Sequence, residues 1–204
     1  MWTTEVLTPK TAVLIYLYTF ALQSPYIFEK PSRDLHSQLF DRGSARTPSR
    51  YHSTFTNSAV ADESGQQCLR LTRTSQSTSV IRDAVGIVRC IETRALEFQG
   101  FDTPRSHLEP LQLVQYGNGE NYHLHTDLFE VPSRMTPEVG GNNLSPFFVY
   151  VATSNVTGGG TNFPILNAPY DERWCEFVDC DEPWDNGITF PPVPGNAVFW
   201  QNLS

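Results

Sequence analysis

Gln115-Tyr-Gly-Asn-Gly-Glu-Asn-Tyr-His-Leu-His-Thr-Asp-Leu-Phe-Glu130 places an imidazole, His125, two positions before a carboxylate, Asp127. In an extended strand, residues i and i+2 point to the same face. One strand would therefore offer a nitrogen and an oxygen donor to a single divalent ion. Taken alone, such a pair is more often a hydrogen-bonded surface or core pair than a metal site, and two protein ligands do not make a good site. His123 shares that face but stands about 7 Å along a straight strand from His125, and would join them only through a sharp bend or bulge.

The surroundings of this stretch read as short strands punctuated by turns. Leu111–Tyr116 is expected as a strand, Gly117-Asn118-Gly119 as a turn, and Tyr122–Phe129 as the strand carrying the pair. Val139–Ser145 reads as a loop, and Phe147–Ala152, apolar throughout, as a strand covered on both sides. Gly158-Gly159-Gly160 reads as a tight bend leading through Thr161-Asn162-Phe163-Pro164 into an edge strand or loop. Asp171–Asp185 is acidic and reads as a surface excursion. Pro194-Gly195-Asn196 is a turn signal, with another strand starting at Ala197–Gln201. Upstream, Ala84, Val88, Ile91, Ala95 and Phe98 repeat at the 3–4 spacing of one buried helix face. Asp83 near its start and Gly100 beyond its end match capping preferences. Cys68–Val80 alternates partially, as a strand followed by a turn.

The first 65 residues are less informative. Thr11–Leu22 follows Lys10 as twelve mostly apolar residues, short for a bilayer span. It reads either as the hydrophobic core of a signal segment or as a buried strand. Phe28–Gly65 is polar, without periodicity, and reads as a connection. The chain thus divides into residues 1–65, a possible signal, anchor or first strand and then a polar loop, and a domain over 66–204.

A length of 204 residues suits one domain with a sizeable core. The 15 prolines and 13 glycines imply many turns, favouring a mainly β chain over a helix bundle. The net charge of −8 comes with only two lysines, Lys10 and Lys30, which argues against a nucleic-acid footprint. A small molecule, a metal or a basic or neutral protein remains as partner. Cys68, Cys90, Cys175 and Cys180 are too few for a disulfide scaffold; Cys175 and Cys180 read either as closing a small loop or as two unpaired, half-buried thiols. Asn-x-Ser/Thr triplets at Asn143, Asn155 and Asn202 tilt the reading toward the secretory pathway and endoplasmic reticulum.

Four segments in order carry a resemblance. They are Arg73-Thr74-Ser75 with the helix ending Phe98-Gln99-Gly100; Gln-Tyr-x-x-Gly-Glu-x-Tyr-x-x-His-x-Asp at 115–127; Gly-Gly-x-Thr-x-Phe-Pro to Pro164; and Gly195–Trp200. From about Leu69 onward the chain resembles the prolyl 4-hydroxylase family of iron(II)- and 2-oxoglutarate-dependent dioxygenases, especially its fungal members. The resemblance implies an α+β, mainly β fold: a double-stranded β-helix, or jelly roll, here incomplete at the C-terminus, with an N-terminal packing helix. It implies hydroxylation of peptidyl proline with dioxygen, giving succinate and CO2, with Fe(II), 2-oxoglutarate as cosubstrate and L-ascorbate. By the same resemblance His125 and Asp127 are metal ligands, while Tyr116 and Thr161 contact 2-oxoglutarate. The partner implied is a proline-containing protein or peptide.

The family's facial triad needs a second histidine, expected after Gly195–Trp200, and then a lysine for the distal carboxylate of 2-oxoglutarate. No histidine follows His125 and no lysine follows Lys30. Arg134 and Arg173 are the basic residues left to replace that lysine. The expectation is a C-terminally truncated dioxygenase domain, inactive or nearly so, with exposed edges where strands are missing. The alternative is a pseudoenzyme or a jelly-roll module binding a peptide or small acid.

Overall fold

The computed structural model describes residues 2–6, 12–19, 55–61, 66–82, 86–99, 104–129, 131–132, 135–136, 141–143, 145–153, 156–167, 171–183 and 186–202. Among these the strands are β1 (Trp2–Val6), β2 (Ala12–Thr19), β3 (Thr56–Asn57), β4 (Val60–Ala61), β5 (Gln67–Cys68) and β6 (Gln76–Ser79). After the helix α1 (Gly86–Gln99) come β7 (Gln112–Tyr116), β8 (Asn121–His125), β9 (Ser145–Thr153), β10 (Gly158–Phe163), β11 (Ile188–Phe190) and β12 (Ala197–Phe199). Among the described residues the chain is mainly β with one α-helix.

The strands form a four-stranded sheet ordered β11-β10-β1-β8, a six-stranded sheet ordered β12-β9-β2-β7-β6-β3, and the small pair β4-β5. All pairings are antiparallel. Strand β9 shows why the two larger sheets face each other. Phe148 and Tyr150 join Val114, Tyr116, Val198 and, from the four-stranded sheet, Phe163 in one buried cluster. Alternate residues Phe147, Val149 and Val151 face the other way, into a cluster with Val88, Ile91 and Ala95 of α1. The uninterrupted apolar run thus covers two interfaces, and each large side chain buried there contributes about 1.5–3 kcal/mol.

The helix presents the face its spacing predicts, with one addition. Glu92 lies among the buried residues, one turn from Val88, and is fully enclosed. Its carboxylate pairs with Arg105 and stands 3.5 Å from Arg82 Nε, so its charge is compensated. Asp83, Ala84 and Gly100 lie outside the described residues.

Three expectations change. The strand expected over Tyr122–Phe129 ends at His125, leaving Asp127 beyond it. The triple glycine is part of a strand that is not at an edge, since β10 lies between β1 and β11. Gly158 and Gly159 still make the bend, at φ 72 and 76. Gly160 is needed for space, because a Cβ there would stand 2.7 Å from Thr189 Cγ2. Finally, Phe28–Gly65 contains β3 and β4; its residues 28–54 and 62–65 lie outside the described set.

The apolar N-terminal segment forms a strand, β2, paired with β7 on one side and β9 on the other. Strand β1 likewise lies between β8 and β10. Interior positions of both sheets are therefore filled from residues 2–19.

Candidate functional site

Strand β8 is the last in its sheet, and residues 72–74 cover its outer edge. His123 N donates to Thr72 O at 2.8 Å, and Thr74 N to Asn121 O at 3.0 Å. At the end of β8 the His125 ring stacks on Tyr122, with centroids 3.5 Å apart and planes 15° from parallel. The Arg73 guanidinium lies 4.7 Å from the centre of the Tyr122 ring. Arg73 is itself held by Ser75 Oγ, Ala59 O and Gln112 Oε1. The Arg-Thr-Ser segment of the sequence thus buttresses the aromatic ring beneath His125.

Although Asp127 is past the strand, the chain turns so that the pair meets. His125 Nε2 stands 3.4 Å from Asp127 Oδ1, and the side chains retain only 14% and 5% exposure. His125 Nδ1 lies 2.6 Å from His123 O. A neutral imidazole donating from Nδ1 carries its lone pair on Nε2, the nitrogen turned toward the carboxylate. Two Lewis bases facing each other in a largely dry place fit a shared cation, and the donor types suit a first-row divalent metal. They fit as two ligands of it. Among the described residues no group of three or more His, Cys, Asp or Glu side chains converges to hold a metal. His123 contributes its carbonyl, and its ring is exposed.

Tyr116 and Thr161 are both fully buried. Tyr116 lies in the cluster between the sheets, and Thr161 Oγ1 lies 2.6 Å from the Tyr150 hydroxyl, which also reaches Phe190 O at 3.1 Å. Burial raises the Tyr150 pKa well above the usual phenol range, against the hydrogen bonds from Thr161 and with a small push from Tyr116. Tyr122 is pushed up to about 12, first by burial; the Arg73 charge opposes the shift, while Asp127 and Tyr116 add to it. Glu109 belongs to the same surroundings: burial and then the Asp127 charge raise its pKa. Asp127 therefore lies within electrostatic reach of Tyr122 and Glu109, and Tyr116 within reach of Tyr122 and Tyr150.

Sequence reasoning passed over Tyr150 and Glu109. Alternation along Phe147–Ala152 puts Tyr150 on the face of Phe148, and a tyrosine in so apolar a strand signals a buried hydroxyl needing a partner. Glu109 carries no comparable signal. Of the proposed replacements for a missing lysine, Arg173 pairs with Asp171 at the exposed surface, and Arg134 lies outside the described residues. Cys175 and Cys180 form a disulfide beside the short 3-10 helix Glu172–Glu176.

A helix-backed pair of antiparallel sheets with a His–carboxylate pair at a strand end defines a class of mainly β protein. No protein-family model matches the chain. Its similarity to curated proteins is specific, however. It is 30% identical over 157 residues to probable prolyl 4-hydroxylase 4 of Arabidopsis thaliana, covering 74% of this chain and 50% of that protein. It is 31% identical over 152 residues to prolyl 4-hydroxylase 2 of Arabidopsis thaliana, covering 72% and 48%. Against the human transmembrane prolyl 4-hydroxylase the identity is 36% over 135 residues, covering 57% and 27%. The chain belongs to the prolyl 4-hydroxylase family. It spans about half the length of the two plant relatives. Among the described residues no helix is long and apolar enough to cross a membrane.

Proposed function

We propose that this chain carries a metal- and 2-oxoglutarate-binding site of the peptidyl-proline 4-hydroxylase kind on a jelly roll. The observation that carries this reading is the His125–Asp127 pair, two donors 3.4 Å apart at the end of β8. His125 and Asp127 would hold Fe(II), and Tyr116 and Thr161 would line the 2-oxoglutarate pocket, with Tyr150 fixing the Thr161 hydroxyl. When bound, the metal supplies the oxygen-activating chemistry of the family, with succinate and CO2 as coproducts and ascorbate as the reductant that keeps iron usable. The protein's own part is to present the two donors and to exclude water from the site. A proline-containing peptide is the substrate. The Cys175–Cys180 disulfide and the family membership favour an oxidising, secretory compartment.

Two converging ligands among the described residues make for weak metal binding, and we propose little or no turnover. Mn(II), a dioxygen-stable stand-in for Fe(II), tests the site directly. Titrated into the chain with 2-oxoglutarate present and followed by the electron paramagnetic resonance of free Mn(II), it should bind wild type but neither His125→Ala nor Asp127→Ala. Equal binding by all three chains would overturn the assignment.

A further inference from the structure

Strand β8 ends at His125 and Asp127 lies beyond it, in irregular backbone whose polar groups need partners. Two consecutive asparagines provide them. Asn142 Oδ1 accepts from Phe129 N at 2.7 Å and from Asn143 N at 2.9 Å, while Asn142 Nδ2 donates to Phe129 O at 3.1 Å. The carboxamide thus pairs with one residue's N–H and C=O, as a neighbouring strand would. Asn143 Nδ2 donates to Asp127 O at 3.1 Å. Asn143 is itself buried, 6% exposed, and its carbonyl accepts from Asn202 Nδ2 at 2.9 Å. Asn202 Oδ1 in turn accepts from Trp200 Nε1 at 2.9 Å.

We propose that Asn142 and Asn143 are positioning residues, which hold Asp127–Phe129 so that the Asp127 carboxylate faces His125. The inference rests on the reading of His125 and Asp127 as metal ligands, and gives a use to residues that reading leaves idle. It also reassigns two sequence triplets. The amide nitrogens of Asn143 and Asn202, where a glycan would attach, are engaged inside the fold.

The test uses the full chain and two readouts. The first is Mn(II) affinity by electron paramagnetic resonance. The second, taken without metal, is hydrogen exchange at the Phe129 amide. Asn142→Ala and Asn143→Ala should each weaken Mn(II) binding at least tenfold, within the roughly 10–100-fold range seen when partners behind metal ligands are removed. Asn142→Ala should also speed exchange at Phe129. Asn142→Asp, which keeps both acceptor bonds and loses only the donor, should fall between wild type and alanine, and guards against misfolding of the alanine chain. Asn162→Ala is the structural control. Asn162 Nδ2 bonds Asn186 O and Thr189 Oγ1 on the far side of β10, and its loss should leave Mn(II) affinity unchanged. Wild-type affinity in Asn142→Ala and Asn143→Ala overturns the inference, as does an equal loss in Asn162→Ala. A wild-type chain that binds Mn(II) no better than His125→Ala instead overturns the metal reading on which the inference rests; the pattern is distinct, because no variant then differs from wild type.

Discussion

Replacing Tyr150 by phenylalanine removes one hydroxyl from a place where water cannot substitute for it. The ring is 1% exposed, packed edge-on to Phe148 at 5.1 Å, and the phenylalanine keeps that packing. What is lost is the contact with Thr161 Oγ1 at 2.6 Å and Phe190 O at 3.1 Å. A buried hydrogen bond contributes about 1 kcal/mol, and a partner left unsatisfied costs about 1–3 kcal/mol. A net loss of about 2 kcal/mol at neutral pH follows, or about 4–8 °C in thermal midpoint for a domain of this size. The loss should shrink at high pH. The folded-state pKa of Tyr150 lies above its ordinary value of 10.0. Its contribution is therefore complete below pH 10 and lost as pH rises above it, because the unfolded chain releases the proton first. The advantage of wild type should shrink by about 1.4 kcal/mol per pH unit above 10 and vanish at about pH 11–12. Thermal melts of both proteins at pH 7, 10 and 11 measure this. Equal midpoints at pH 7, or a difference independent of pH, would refute the dry hydroxyl network.

Other consequences are testable in the same way. Glu109→Gln should raise the thermal midpoint at pH 7, since burial and the Asp127 charge disfavour the native carboxylate, and the gain should disappear near pH 4, where that carboxyl is protonated in both states. Gly187→Ala should cost about 2–5 kcal/mol in urea melts, because φ is +84° and a Cβ there would lie 2.3 Å from Phe163 O. Removing the Cys175–Cys180 disulfide by Cys180→Ser should cost about 2 kcal/mol, the entropy of closing so short a loop, measured as a urea-midpoint shift.

How much of this was legible in the sequence depends on whether local pattern or distant contact decided the outcome. The helix face at Val88, Ile91 and Ala95 and the strands at β7, β9 and β12 follow from periodicity and turn residues, which are local. The end of β8 does not. It is set by Asn142 and Asn143, 13 and 16 residues away from their partners, capturing the backbone after His125. The same holds for β10, whose glycines read as a bend; its interior position comes from β1 at the opposite end of the chain. Glu92 was hidden because its partners, Arg82 and Arg105, flank the helix in sequence without any regular spacing. For the site, the His-x-Asp spacing named the two donors correctly as neighbours, though for a different geometric reason. The strand periodicity that suggested a shared face fails at His125, and a turn restores the proximity.

The rest depends on the reading of His125 and Asp127 as two ligands of a hydroxylase metal site, with no third His, Cys, Asp or Glu converging on them among the described residues. That reading is tested most directly by succinate formation from 2-oxoglutarate by the 204-residue protein, supplied with Fe(II), ascorbate and a proline-rich peptide, with His125→Ala as control. Wild type and control should show the same background rate, although Mn(II) binding separates them. Succinate formed in step with peptide hydroxylation by wild type, and abolished in His125→Ala, would contradict it.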